Sequence, residues 1–343
     1  MNRRWTLPVV AALTGLTLLS TSGAALAQDH RSPGHGRGTS TFAVIGDIPY
    51  GAEQLAQFPE VVDQINADPR VSLVNHLGDI KSGSTECTDA YFARIRAELD
   101  RFADPLVYTP GDNEWTDCHR PNNGAFNPLE RLAAVRSVFF DRPGRSLGRQ
   151  PARLRSQARA GYPENVRYRR DGVSFGLPHI VGSNNGLAPW TGQTTATPEQ
   201  TAEVLGRTAA SVELIRDTFA TARHEHDRAV VILTQADMFD PTVKDPKYAD
   251  YYAYTPIVRA LAEESAAFRG AVYLFNGDSH VFNVDRPLGA GSPWRSLYGV
   301  PEPVESLQRI TVDGSDNNDD YLRVTIHPRS RGVLTWTRVP YTG

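Results

Sequence analysis

Along this chain, apolar, β-branched runs stop abruptly at small polar clusters, and segments of helical spacing follow. Thr41–Ile45 ends in Gly46-Asp47, Val71–Leu77 in Gly78-Asp79, and Pro105–Thr109 in Pro110-Gly111-Asp112-Asn113-Glu114. Ala229–Thr234 ends in Gln235-Ala236-Asp237, and Ala271–Phe275 in Asn276-Gly277-Asp278-Ser279-His280. Continuous apolar runs of this length suit strands covered on both faces. Between them, Glu60–Ala67, Thr88–Phe102, Leu129–Phe140, Pro198–Ala222 and Tyr254–Phe268 carry apolar residues at helical spacing. Thr88 and Thr197 are placed as N-caps, and Pro198 suits a first helical turn. The alternation predicts an α/β fold.

Two regions break the pattern. Leu307–Val312, Tyr321–Ile326 and Val333–Val339 alternate like antiparallel strands, and the oxygen-rich run 313–320 joins two of them as an exposed hairpin loop. That run lacks the spacing and closing Glu of a calcium loop. Asp141–Arg170 is rich in Arg and Gly with little periodicity. It reads as a long excursion, either a lip that attracts anionic substrate or a solvated loop.

Composition narrows the class. Of 343 residues, 40% are hydrophobic and 22% charged, an ordinary globular balance. The net charge of -3 points to neither nucleic acid nor anionic lipid as partner. Residues 1–27 read as a signal peptide: Arg3 and Arg4, an apolar run from Leu7 to Leu19, then Ala25-Leu26-Ala27. Residues 28–40 read as a flexible lead-in, and 41–343 as the folded domain. The expected location is secreted or periplasmic, with no membrane contact after cleavage. In an exported protein Cys87 and Cys118 suggest one disulfide, the alternative being two free thiols. No Gly-x-Ser-x-Gly elbow, His-Glu-x-x-His or phosphate-binding Gly-Lys-Ser/Thr loop is present.

Strands of such folds open their carboxyl ends onto one crevice, where ligands bind. A single Gly-Asp is a weak signal, because both residues also make ordinary turns. Five strand ends bearing Asp, Asn, Gln or His form a strong one. The ordered series resembles the five blocks of the calcineurin-like metallophosphoesterases, from about Thr41 to Val339. The resemblance implies a four-layer α/β/β/α sandwich and a site for two divalent metal ions. It implies a small-molecule phosphoester as substrate, attacked by metal-activated water.

The departures run from imidazole to other groups, apart from one that turns an amide into a carboxylate. Pro49 stands at a ligand His of the first block, and Asp112 at a ligand Asn of the third. Asn113 stands at the His credited with protonating the leaving group. Gln235 and Asp278 replace two further His, and His280 remains. Carried over by position, Asp47, Asp79 and His280 would hold one metal. Asp79, Asp112, Gln235 and Asp278 would hold the second. Such an oxygen-rich set favours manganese, magnesium or calcium over zinc. It should also leave bound water less acidic, which predicts an alkaline optimum or a slow rate. His119, beside Cys118, is the candidate replacement acid, with a plain surface His as the alternative. Asn184, Asn185, Glu164, Asn165, Trp115 and His76 are further residues to locate around the site. Two functions follow: a secreted metal-dependent phosphoesterase, or a non-catalytic metal- or ligand-binding protein on a degenerate phosphoesterase fold.

Overall fold

The computed structural model describes residues 39–342. The expected signal peptide and most of the expected lead-in lie outside the described residues.

The first sheet begins with β1 (Ser40–Ile45), β2 (Val71–His76) and β3 (Leu106–Tyr108), all parallel. The second holds β4 (Arg155–Gln157), β5 (Tyr162–Arg170), β6 (Val173–Leu177), β7 (Ala229–Leu233), β8 (Ala271–Asn276), β9 (Asn283–Asp285) and β10 (Leu307–Thr311). The chain then returns to the first sheet as β11 (Asp320–Ile326) and β12 (Leu334–Pro340). The strand orders are β12-β11-β1-β2-β3 and β4-β5-β6-β7-β8-β10-β9.

Side-chain alternation along each central strand builds two cores at once. In β1, Ala43 and Ile45 face helices α1 (Gly51–Ala67), α2 (Asp89–Leu99) and α3 (Pro128–Phe139). Phe42 and Val44 of the same strand face the other sheet and meet Phe175, Val231 and Phe275. In β7, Val230 and Ile232 face α5 (Pro198–His224) and the helix Thr255–Ala267. The result is the four-layer α/β/β/α sandwich expected from the sequence. Each fully buried Phe, Leu, Ile or Val contributes roughly 1.5–3 kcal/mol.

Local signals hold where expected. Thr88 caps α2, and Thr197 with Gln200 forms a reciprocal capping box on α5. Helix α1 starts at Gly51, ahead of the expected Glu60. Leu55 and Phe58 bury on the same face as Val62 and Ile65, and this burial carries the helix through Pro59.

Two expectations need correction. Strand β10 is not part of an antiparallel C-terminal unit: it lies parallel to β8 in the second sheet. The run after it is therefore a crossover between sheets, not a hairpin loop. Arg155–Gln157 and Tyr162–Arg170 of the supposed excursion pair as an antiparallel ribbon on the edge of the second sheet. Its arginines are engaged within the fold: Arg169 with Asp227 and Glu225, Arg170 with Ser72. Local reading misses β10 because its sheet is set by β8, earlier in the chain, and misses the ribbon because its Arg-rich strands carry little apolar alternation.

Cys87 and Cys118 form a disulfide with Cα atoms 5.9 Å apart. It joins the segment after β2 to the turn after β3. Closing a 31-residue span stabilises the fold by roughly 3–4 kcal/mol in the chain-entropy account. Cys87→Ser/Cys118→Ser should lose about this amount in denaturant unfolding, and an unchanged midpoint would contradict it.

Candidate metal centre

The carboxyl ends of β1, β2, β3, β7 and β8 converge, and each delivers a residue singled out in the sequence. Asp47 follows β1, Asp79 follows β2, Asp112 and Asn113 follow β3, Gln235 follows β7, and Asp278 and His280 follow β8. One ligand atom from each of Asp47, Asp79 and His280 lies within 4.8 Å of the others; the same holds for Asp79, Asp112 and Asp278. Asp79 belongs to both groups. Asp47, Asp79 and Asp112 are buried; Asp278 and His280 are partly so.

The backbone bends sharply to achieve this. Asp47, Asp79, Asp278 and His280 all have left-handed φ values, between 53° and 72°. Such conformations cost about 1–3 kcal/mol each for residues other than glycine and cluster at functional sites. Glycines give the carboxylates room. A Cβ on Gly111 would collide with Asp79 Oδ1, and one on Gly277 with Asp47 Oδ2.

Hydrogen bonds fix each acid. Asp79 Oδ2 accepts from Tyr50 Oη at 2.8 Å, Asn113 Nδ2 at 2.9 Å and Gln235 Nε2 at 3.2 Å. Asp79 Oδ1 accepts the Asn113 backbone N–H at 3.1 Å. Asp47 accepts the Asp278 N–H, and its Oδ1 lies 3.3 Å from His280 Nε2. Ser183 Oγ lies 2.9 Å from Asp112 Oδ2 and 3.1 Å from Asp117 Oδ1. Ser183 belongs to a single left-handed turn, α4 (Gly182–Asn185), after β6.

Not every expected residue faces the centre as anticipated. Gln235 gives its amide oxygen to the Gly182 N–H at 2.7 Å and turns its NH2 toward Asp79 and Asp112. As placed it bridges two acids as a donor, and oxygen ligation would require the amide ends to exchange. His119 Nδ1 accepts the Thr191 N–H at 2.8 Å, and no hydrogen bond among the described residues joins it to the acids. Burial, with Arg120 adding to it, holds its value below the usual histidine range. Asn185 is bound by Arg207 and Thr208, and Asn184 reaches Ala253. Trp115 is buried against Leu132 and Val181 rather than open to a ligand.

The supporting layer is dense. His76 accepts the Gly78 N–H on Nδ1 and donates from Nε2 to Ile48 O, so it joins the turns that carry Asp79 and Asp47. Burial lowers its value to about 4, which keeps it neutral. Glu164 accepts from His179 Nδ1 at 3.0 Å, and His179 Nε2 accepts from Trp115 Nε1 at 3.2 Å. Asn165 Oδ1 accepts the His179 N–H. Residues the sequence reading missed are Tyr50, Ser183, Asp117 and Asp237, the last receiving Ser279 Oγ and buried against Arg309. Tyr50 directly follows Pro49, Asp117 lies three residues past the third block, and Asp237 closes the Gln235-Ala236-Asp237 cluster, but none of them has a counterpart among the family's ligand positions.

Desolvation, with repulsion from Asp112 next in size, holds the carboxyls of Asp79 and Asp278 well above the ordinary range. Asp47 is raised mainly by burial. Asp117 is pushed up to about 7 by burial and then Asp112. Among the described residues, no Lys or Arg forms an ion pair with Asp47, Asp79, Asp112 or Asp278; His280 alone pairs, with Asp47. Hard oxygens, excess negative charge and interatomic spacing together fit divalent cations.

A family model described as calcineurin-like phosphoesterase matches residues 40–281. The chain belongs to that family, a family of phosphoric ester hydrolases with a dinuclear divalent metal site. No characterised protein sequence matches it. Among solved structures, it is similar to GAP50, the anchor in the inner membrane complex of Plasmodium (8% identity, TM-score 0.45, covering 89% of this chain and 90% of that one). It is also similar to the NAD nucleotidase of Haemophilus influenzae (13%, 0.44, covering 88% and 50%). A third is the purple acid phosphatase PPD1 from yellow lupin seeds (11%, 0.46, covering 88% and 52%). The chain thus spans about half the length of the latter two.

The raised carboxyls have a consequence for stability. A carboxyl raised in the folded state stabilises the fold fully below its unfolded value, near 3.8, and this is lost as pH rises toward about 7 for Asp117. The metal-free protein should therefore weaken over that window, and a bound cation should offset the loss. Thermal unfolding with and without manganese should show a larger metal-induced rise in Tm at about pH 8 than at about pH 5. Equal rises at both would contradict the electrostatic account.

Proposed function

We propose that this chain is a secreted metal-dependent phosphoesterase that hydrolyses phosphate mono- or diesters, with residues 41–343 as its working domain. The observation that carries the reading is the convergence of Asp47, Asp79, Asp112 and Asp278 on one strand-end crevice without a lysine or arginine partner among the described residues. Export through residues 1–27 draws support from the Arg-apolar-Ala pattern there and from the disulfide. No helix among the described residues is long and apolar enough to cross a membrane.

Asp47, Asp79 and His280 are the proposed donors to one cation. Asp79, Asp112 and Asp278 are those to the other, with Gln235 beside them. Manganese, magnesium and calcium suit a set with a single imidazole. When bound, two such ions would activate a water nucleophile and offset phosphoryl charge. The protein's own groups position and exclude. Asn113 keeps Asp79 in place with backbone and side-chain N–H groups. Its amide orients an oxygen but delivers no proton. We assign that delivery to His119, which must be protonated to act and so loses effect as pH rises. The carboxylate-rich set works in the opposite direction and favours an alkaline optimum.

The test is turnover of aryl and alkyl phosphate mono- and diesters after metal stripping and refilling with manganese, magnesium, calcium or zinc. Metal-dependent turnover that Asp79→Ala abolishes is expected. A folded protein inactive with every metal would instead be a non-catalytic binding protein. His119→Ala should slow alkyl esters by about 100-fold and spare aryl esters, whose leaving groups need no proton. An alkyl-ester rate in that variant unchanged from wild type would remove His119 from the mechanism.

A further inference from the structure

The first block of this chain has lost its imidazole, because Pro49 offers no donor atom. The residue after it points to a replacement. We propose that Tyr50 supplies its phenol oxygen to the cation held by Asp47, Asp79 and His280. This rests on the metal-dependent reading above and adds a donor that reading lacks.

The geometry is the main ground. Tyr50 Oη lies 2.8 Å from Asp79 Oδ2 and 3.3 Å from His280 Nε2. The same His280 nitrogen lies 3.3 Å from Asp47 Oδ1. In six-coordinate geometry, ligands about 2.0–2.2 Å from a cation stand about 2.8–3.1 Å from their neighbours. Oxygen from Asp47, nitrogen from His280, oxygen from Tyr50 and oxygen from Asp79 therefore follow one another at about the spacing of a coordination shell.

The placement of Tyr50 is also constrained. It stands immediately before α1, and its backbone N–H is taken by Gln54 Oε1 at 2.7 Å. Gln54 in turn donates to Ser315 O, so the start of the helix is tied to the crossover run. The Tyr50 ring meets the His280 ring edge-on, with centroids 5.3 Å apart. Asn113 Nδ2 donates to the phenol oxygen at 2.8 Å, which aims its remaining lone pair. A tyrosine serving only to pack would not need its hydroxyl among the site's acids. The chemistry agrees as well. A phenol oxygen is a hard donor, as are the carboxylates at Asp112 and Asp278 that stand in other altered positions of the series.

The experiment is calorimetric titration of the protein with manganese, run on wild type, Tyr50→Phe, Tyr50→His and Asp79→Ala. Near-ultraviolet tyrosine absorption is followed in parallel. Tyr50→Phe should weaken one binding event by at least about tenfold. Tyr50→His should bring it back toward wild type, since an imidazole restores a donor. Wild type should show a tyrosine absorption change on manganese addition that both variants lack. If the Phe variant does not fold, that wild-type change decides: its absence overturns the proposal. Manganese binding that Asp79→Ala abolishes but Tyr50→Phe leaves untouched would overturn the role of Tyr50 and leave the metal centre standing. No manganese binding by wild type would overturn both.

Discussion

Mutual repulsion among Asp47, Asp79, Asp112 and Asp278 is the constraint on which the rest of this architecture depends. Two carboxylate charges about 4–5 Å apart repel by about 3–4 kcal/mol at an effective dielectric of 20. Burial adds a desolvation cost for each ionised group. Among the described residues, the one counter-charge in direct contact with these acids is His280, and it is partly exposed. A fold that holds such a cluster ionised needs positive charge from outside the chain; without it the raised carboxyls keep their protons. Divalent cations, which the family uses in pairs, would satisfy that need and would supply phosphoester-hydrolase chemistry at the same place.

The supporting structure follows from this constraint. Acids that repel one another must be pinned: Asp47, Asp79 and Asp112 each meet more than one donor, and Asp278 accepts the Asp237 N–H. Left-handed turns and glycine neighbours aim the carboxylates inward. His76 locks the first two turns together. Glu114 accepts from Ile80 N, Tyr108 Oη and Gly111 N, and so holds the turns after β2 and β3 in register. The disulfide draws the following segments together. From the other side, the crossover run closes over the centre: Ser315 N–H donates to Asp47 O, and Asn317 Nδ2 to His280 O. Its acids Asp313 and Asp320 pair with Arg338 on β12. An oxygen-rich sequence is thus spent on holding two loops in place.

Much of this was legible in the sequence, for identifiable reasons. Strands buried on both faces leave long apolar runs, and their ends leave Gly-Asp pairs. That is why an α/β fold with a polar strand-end crevice could be read in advance, while the four-layer order and the set from Asp47 to His280 were implied by the family resemblance those strand ends carry. Capping by Thr88 and Thr197 was legible because caps are local. Sheet membership of β10 was not, because it is set by β8 across the intervening β9 and helix, and the β4–β5 ribbon was not, because its Arg-rich strands lack the apolar alternation that marks the others. The orientation of the Gln235 amide was equally hidden, since it is decided by the Gly182 N–H across the crevice. Tyr50 escaped because a tyrosine after a proline has no pattern of its own, and only the fold brings it to Asp79. His119 was named for its nearness in sequence to the third block, whereas the Thr191 N–H that orients its ring could not be read there.

Anomalous diffraction at the manganese edge, from crystals grown with manganese near pH 8, tests the central claim most directly. The account predicts two manganese peaks, one bordered by Asp47, Asp79 and His280 and one by Asp79, Asp112 and Asp278, with Asp79 between them. A crevice without manganese, its acids bridged only by hydrogen bonds from Tyr50, Asn113 and Gln235, would contradict it.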